Sequence, residues 1–322
     1  MEQYDPWAFE DFSGYLAVDE VYDGPFCVLF IVDGKSQRRL AYDVLDHTPA
    51  HADIRTFFQG FKGKVIQRGL SVRGITTDGS QLYPEMIEEV FPGVPHQVCR
   101  FHVLKGITHD VLTAVSHIRQ TIRKTMPPLG RGGTFTQDQK DRAAQRKSIR
   151  RDNQELLQNR FLLVQRSLTP EQKLWVDGKS LLYPEIGKLR SLMDQVYDLY
   201  DPAFFHHELA MTKLRLLRTR IPEFQDFGKL PSKLASSGLE KSLTYFKDRR
   251  IESTSNVVER ANRRHQKMQK SVYHLKTHQS LRHRIALDLF RDRGLPRRRT
   301  TLATLHHLRR TCPIRQESMY PC

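Results

Sequence analysis

The sequence contains no run of about 18 consecutive apolar residues, the length that crosses a membrane as a helix. Its first residues are acidic and polar, without the basic region and apolar stretch of a secretory signal. Cysteine is scarce, and no paired spacing relates Cys27, Cys99, Cys312 and Cys322. We therefore expect no membrane span and a reducing compartment, which is the cytoplasm of a bacterium or a nucleus.

Acidic residues are also few relative to basic ones. Lys and Arg number 52 against 36 Asp and Glu, which gives a net charge of +16. The surplus is concentrated in residues 260–310, with 15 Lys or Arg and only two acids, Asp288 and Asp292. A generally basic protein is one interpretation, but a one-sided block is more typical of a binding surface. The charge favours a polyanionic partner, because each phosphate contacted releases counterions.

The first hundred residues alternate between strand and helix patterns. Apolar runs at 15–22, 26–32 and 39–45 are separated by Asp-Gly turns, which predicts an antiparallel meander. Helical spacing follows over 50–69, then a strand over 72–77, a short helix over 80–90 and a strand over 95–99. This order predicts an α/β fold whose five-stranded mixed sheet has the first strand at its centre, as in RNase H-like proteins.

Strand signals nearly disappear from residue 104 to 245, where 103–126, 138–168 and 203–220 have helical patterns. Two further helices are predicted over 255–272 and 276–292. We divide the chain into an α/β domain formed by residues 1–103 and 246–292, an all-helical insertion at 104–245, and a loosely ordered basic C-terminal tail at 293–322.

Three carboxylates are candidates for chemistry. Asp19 lies inside an apolar strand, where a carboxylate costs free energy unless it pairs or binds a metal. Asp78 ends the fourth strand, where α/β sheets tend to place ligands. A solvent-facing edge residue and a plain Asp-Gly turn are the respective alternatives. Because strand side chains alternate, we expect Glu20 to point to the face opposite Asp19.

Glu259 lies near the start of the predicted helix at 255–272. It could be structural, as the third residue of a capping box with Asn256 as N-cap, or as the salt-bridge partner of Arg263. With Asp19 and Asp78, however, it supplies three acids from different elements. Phosphodiester chemistry with two divalent ions about 3.5–4 Å apart requires such a set. Mg²⁺ suits it, because Mg²⁺ keeps waters and takes few carboxylates.

Four motifs together resemble DDE insertion-sequence transposases of the RNase H-like superfamily, and especially the Mutator-like branch. They are Ala17-Val-Asp-Glu, Ile75-Thr-Thr-Asp-Gly, Gln97-Val-Cys-Arg-Phe-His and Thr254-Ser-Asn-Val-Val-Glu-Arg. The resemblance implies an RNase H-like catalytic domain with an all-helical insertion before the helix of the catalytic Glu. It implies that Asp19 and Asp78 bind two Mg²⁺ or Mn²⁺ ions and that Glu259 binds the second.

The Cys-x-x-His motif has several interpretations. Cys99 and His102 could be half of a zinc site, although no second pair is evident. They could also be a buried cysteine and a hydrogen-bonded histidine. We favour an intermediate role, in which His102 lies near the active site and contacts the scissile DNA while Cys99 is structural.

The function implied is metal-dependent cleavage at transposon ends and strand transfer into target double-stranded DNA, by a homodimer or larger assembly. In a bacterium the protein would associate with the nucleoid. Only 18 residues precede Asp19, so we expect the zinc-binding or helix-turn-helix module of relatives in a separate domain or in a longer protein. Alternatives are an RNase H-like nuclease for branched DNA or RNA hybrids, and an inactive transposon-derived DNA-binding protein. Backbone contacts with DNA are expected from basic residues after the Glu: Arg260, Arg263, Arg264, Lys267 and Lys270.

Overall fold

Five strands form one sheet in the computed structural model, which describes residues 4–129, 136–201, 206–271 and 277–294. The strands are β1 (Tyr15–Asp23), β2 (Phe26–Asp33), β3 (Arg39–Leu45), β4 (Gly74–Thr77) and β5 (His96–Val98). Their order is β3-β2-β1-β4-β5. β1 to β3 pair antiparallel, whereas β4 is parallel to β1 and β5 is parallel to β4. The predicted mixed sheet with a central first strand is confirmed.

The turn between β2 and β3 depends on one buried carboxylate. Asp33 accepts hydrogen bonds from the backbone N–H groups of Ser13 at 2.7 Å, Lys35 at 2.9 Å and Ser36 at 2.8 Å. The same carboxylate therefore closes the turn and fixes the segment that leads into β1. An aspartate that accepts local backbone hydrogen bonds is the physical reason that Asp-Gly pairs predict turns.

Twelve α-helices are found in the part of the chain that the structure describes. Five of them share an apolar core with the sheet: α1, α2, α3, α11 and α12. Of these, only α1 had no counterpart in the sequence prediction. In chain order the helices are α1 (Tyr4–Phe9), α2 (His51–Gln67), α3 (Pro84–Val90), α4 (Arg100–Lys124), α5 (Gln137–Gln158), α6 (Pro170–Leu182), α7 (Pro184–Asp198), α8 (His207–Thr219), α9 (Leu230–Ala235), α10 (Ser237–Lys241), α11 (Asn256–Ser271) and α12 (His278–Gly294).

Helices α4 to α10 enclose a second apolar core of their own. The helix predicted over 138–168 is too long, because α5 ends at Gln158 and a short 3-10 helix, Arg160–Leu163, follows. The leucines of this 3-10 helix continue the apolar pattern of α5, which is why the prediction ran past Gln158. The tighter turn of the 3-10 helix is what places Leu163 in the second core. α4 begins at Arg100 and crosses the predicted domain boundary at residue 103. The prediction for residues 295–322 lies outside the described residues.

None of the described helices is long and apolar enough to span a membrane.

The edge strand β5 is joined to the chain that returns from the second core. Gln97, which is fully buried, donates a hydrogen bond to the Ser242 carbonyl at 2.9 Å and accepts one from the Tyr245 N–H at 2.8 Å. Thr244 donates to the His96 carbonyl at 3.0 Å. These hydrogen bonds hold the segment that leads to α11 against β5, at the edge of the sheet where no further strand pairs in the described part of the chain.

Replacing Gln97 by Leu is expected to lower the free energy of unfolding by roughly 3 kcal/mol, since it leaves a buried N–H and a buried C=O unpaired. Urea unfolding measures the change. Gln67→Leu, at an exposed position on α2, serves as the control and should change the stability by less than about 0.5 kcal/mol. Equal effects of the two substitutions would contradict the role of Gln97 as a link.

Candidate active site

Strand register brings the first two candidate carboxylates to one edge of the sheet. Ala17 pairs with Thr76, and Thr76 pairs with Gln97. Each strand therefore reaches the same edge two residues later, where parallel strands place their ligands. The residues at these positions are Asp19, Asp78 and Cys99.

An acidic cluster is formed at this edge by Asp19, Glu20 and Asp78. One carboxylate oxygen from each residue lies within 4.8 Å of the others. The expectation that Glu20 points away from Asp19 is therefore wrong for its carboxylate. β4 ends at Thr77 whereas β1 continues to Asp23, so on this side no strand separates the two faces. The longer Glu side chain can reach the cluster there.

Asp19 is buried among like charges. Burial, with further contributions from the charges of Asp78 and Glu20, raises the pKa of Asp19 to about 8. Asn262 on α11 donates a hydrogen bond to its Oδ2 atom at 2.7 Å. The hydrogen bonds from Asn262 and from the Glu20 backbone N–H do not compensate for burial beside two acidic neighbours, so this carboxylate retains a proton near neutral pH.

Glu20 is held by Tyr83, whose hydroxyl donates to its carboxylate. Burial raises the pKa of Glu20 and the charge of Asp78 adds to the shift, while the Tyr83 hydrogen bond opposes it. Tyr83 itself is fully buried. The Glu20 side chain is therefore oriented toward Asp78 by a rigid neighbour.

Glu259 lies in the first turn of α11 and is oriented by Ser255. The Ser255 carbonyl accepts the first helical hydrogen bond, from the Glu259 N–H at 3.0 Å, and the Ser255 hydroxyl donates to Glu259 Oε1 at 2.9 Å. Ser255 is thus the N-cap, and the predicted capping box with Asn256 is wrong. With Ser255 as N-cap, Asn256 is the first residue of α11 and not its cap. Ser255 is fixed in this position because it is buried and its N–H bonds to Cys99 Sγ at 3.3 Å. Asn256 is exposed.

Glu259 belongs to a second group of possible metal ligands with Cys99 and His102. One ligand atom from each lies within 4.8 Å of the other two. The described residues thus form two neighbouring groups, and Glu259 is not within that distance of both Asp19 and Asp78.

His102 connects the two groups electrostatically. The adjacent Cys99 side chain raises the pKa of His102; the charges of Asp78 and Glu259 add to the shift, although partial burial opposes it. Burial raises the pKa of Cys99, but hydrogen bonds from His102 and Ser255 outweigh it and the net shift is downward. The His102 side chain therefore responds to the charge of both groups.

The basic residues after Glu259 lie on the outer face of α11. Arg264 forms an ion pair with Asp292, and Arg263 lies 3.8 Å from Glu259. Acidic residues therefore already accompany two of these arginines. All of the predicted DNA-contacting side chains are exposed: Arg260, Arg263, Arg264, Lys267 and Lys270. The opposite face is buried, at Val258, Asn262, His265 and Gln269.

Sequence reasoning missed two residues of the site. Asn262 lies three residues after Glu259, which places both on one side of the helix, and this spacing could have identified it. Ser255 was present in the quoted motif but was assigned no role. Its double contact, with Cys99 and Glu259, depends on chain segments far apart in sequence.

A family model described as transposase, of the DDE ISL3 type, matches residues 18–285. The chain belongs to this transposase family. The match includes Asp19, Asp78 and Glu259 and implies a DNA-cleaving, DNA-binding enzyme of insertion-sequence type. No curated protein and no solved structure matches the transposase significantly.

Transposases of the DDE type generally use divalent metals, and the acidic cluster of this transposase fits such ions. Asp19, Glu20 and Asp78 offer only oxygen ligands, which Mg²⁺ and Mn²⁺ prefer. Burial, together with the charges of Asp78 and Glu20, raises the pKa of Asp19, and a bound cation would offset both effects.

Asp19→Asn is expected to stabilise the metal-free protein at high pH. The pKa of Asp19 rises from 3.8 to about 8 on folding, so between these values the folded state retains a proton that the unfolded state has lost. Wild-type stability therefore decreases as pH rises through this window. The variant lacks this loss, so its free energy of unfolding should exceed that of wild type by about 3 kcal/mol near pH 8 and by little near pH 4.

Urea unfolding at several pH values, in a metal chelator, measures this difference. Asp177→Asn, at an exposed position on α6, is the matched control and should show no pH-dependent gain. A gain for Asp19→Asn that is the same at every pH would mean that burial does not perturb this carboxylate.

Proposed function

We propose that this transposase cleaves DNA at transposon ends and transfers the freed strand into target DNA, with Asp19, Asp78 and Glu259 as its catalytic carboxylates. The observation that supports the proposal most is the packing of α11 against β1. Asn262, less than one helical turn after Glu259, donates directly to Asp19. The helix that carries the third acid is therefore anchored on the first acid.

These acids would hold two Mg²⁺ or Mn²⁺ ions, with Asp19 and Asp78 ligating both ions between them and Glu259 ligating the second. Glu20 is a further ligand that the acidic cluster makes available. When bound, such ions activate a water nucleophile and stabilise the charge on the leaving 3′ oxygen.

The protein's own groups prepare the site. Asp19 would have to release its proton to hold a cation, and the hydrogen bond from Asn262 keeps its Oδ2 atom in place. The Ser255 hydroxyl orients Glu259, which must turn its carboxylate from His102 toward the acidic cluster. His102 contacts a phosphate oxygen of the scissile DNA.

The remaining assignments follow from this function. Residues 1–103 and 246–292 form the catalytic domain, and 104–245 form a helical insertion. The motif at Cys99 and His102 supports membership of the Mutator-like branch. Two ends must be cut together, so the active form on DNA is a dimer or larger. It acts at the nucleoid of a bacterium or in a nucleus.

Single substitutions Asp19→Asn, Asp78→Asn and Glu259→Gln should each lower the cleavage rate by about 10³-fold or more, since loss of a ligand removes several kcal/mol of charge stabilisation. The assay follows nicking of DNA that carries the native element ends, in Mg²⁺ or Mn²⁺. Asp177→Asn is the control and should cleave at the wild-type rate.

Full cleavage by any one carboxylate variant removes that residue from the active site. Preferred cleavage of branched DNA or RNA–DNA hybrids would favour the nuclease alternative. DNA binding without metal-dependent cleavage by the wild type would leave an inactive DNA-binding protein.

The outer face of α11 is expected to contact the DNA backbone. Arg260→Gln and Lys270→Gln should each weaken binding similarly for all sequences and reduce the slope of log affinity against log salt by about 0.9 per lost phosphate contact. Arg55→Gln is the control, because Glu89 already pairs with Arg55 at 2.7 Å. An unchanged salt slope in both α11 variants would exclude this face from the interface.

A further inference from the structure

Cys99, His102 and Glu259 differ in chemistry from the acidic cluster beside them. They offer a sulfur, an imidazole nitrogen and a carboxylate oxygen, all within 4.8 Å of one another. Mg²⁺ selects oxygen ligands, whereas a set of thiolate, imidazole and carboxylate is typical of Zn²⁺. The sequence indicated only two of these ligands, because the third comes from α11.

The three ligand atoms are oriented by surrounding hydrogen bonds. Cys99 immediately precedes α4 and His102 lies in its first turn, so both side chains are carried by one rigid element. Ser255 donates its N–H to Cys99 Sγ at 3.3 Å and its hydroxyl to Glu259 Oε1 at 2.9 Å. Partners of this kind fix ligand geometry in metal sites.

One ligand atom of the group has an unmet requirement. His102 Nδ1 is buried and has no hydrogen-bond partner among the described residues, and its nearest acidic atom, Glu259 Oε1, lies 3.9 Å away. A buried nitrogen without a partner costs free energy, and a bound cation would satisfy it. The His102 side chain is 32% exposed, so a cation can reach the group from solvent.

We propose that Cys99, His102 and Glu259 form a second metal site, which binds a thiophilic divalent cation of the Zn²⁺ class. Three protein ligands leave the fourth tetrahedral position open, as in zinc sites that exchange a water. Binding does not depend on the proposed function, but Glu259 is common to both proposals. A cation held here keeps the Glu259 carboxylate away from the acidic cluster.

Co²⁺, which reports thiolate ligation through a charge-transfer band in the near ultraviolet, is the probe. The full-length protein is used, with Cys27→Ala, Cys312→Ser and Cys322→Ser, so that Cys99 is the only thiol; circular dichroism verifies the fold. One equivalent of Co²⁺ should give the band. Zn²⁺ should remove it by displacing Co²⁺, and excess Mg²⁺ should not.

Variants in this background test the other two ligands. His102→Gln and Glu259→Gln should each weaken Co²⁺ binding at the band by about 100-fold, and Ser255→Ala by about 10-fold. Asp78→Asn is the control: it should change the affinity less than about threefold while it abolishes cleavage. The band tests the second metal site and the cleavage assay tests the proposed function, so failure of one proposal can be distinguished from failure of the other.

Absence of a thiolate band in the parent protein overturns the proposal. So does a band that keeps its affinity in both His102→Gln and Glu259→Gln, because the cysteine would then bind Co²⁺ without these partners. Loss of the band in Asp78→Asn, with the fold intact, would assign the cation to the acidic cluster instead.

Discussion

The parallel pairing of β1 with β4 is the constraint on which the candidate site depends. Because Ala17 lies opposite Thr76, Asp19 and Asp78 reach the same edge of the sheet together. The pairing of β4 with β5 extends the row to Cys99. A shift of one residue in the β1–β4 register would displace Asp19 from Asp78 and turn one of them to the other face. The strand register therefore sets the relative positions of Asp19 and Asp78 without any contribution from a helix.

This arrangement stores electrostatic repulsion in the folded protein. Asp19 is buried beside two acids, and burial together with their charges raises its pKa to about 8. Burial of Asp19 therefore lowers the stability of the metal-free protein at the position where a cation would be bound, as is common at functional sites. The basic face of α11 lies on the same helix as Glu259, so one helix carries both the third candidate acid and a row of exposed basic side chains.

Much of the fold could be predicted from the sequence, because Asp-Gly turns and apolar periodicity are local signals. The site could be predicted only in part. Glu20 was misplaced since alternation describes a strand with neighbours on both sides, and β1 outlasts β4 at this point. The N-cap at Ser255 instead of Asn256 depends on a contact with Cys99. Pairings between segments this distant arise from packing, which no local pattern encodes.

The central claim is that Asp19, Asp78 and Glu259 share divalent cations. Anomalous scattering from crystals of the protein grown with Mn²⁺ and a DNA end locates such ions directly. We expect Mn²⁺ between the Asp19 and Asp78 carboxylates, and we expect the Glu259 carboxylate to turn away from His102 and bind a second ion. Mn²⁺ bound away from Asp19 and Asp78, or a Glu259 carboxylate that ligates neither ion, would contradict it.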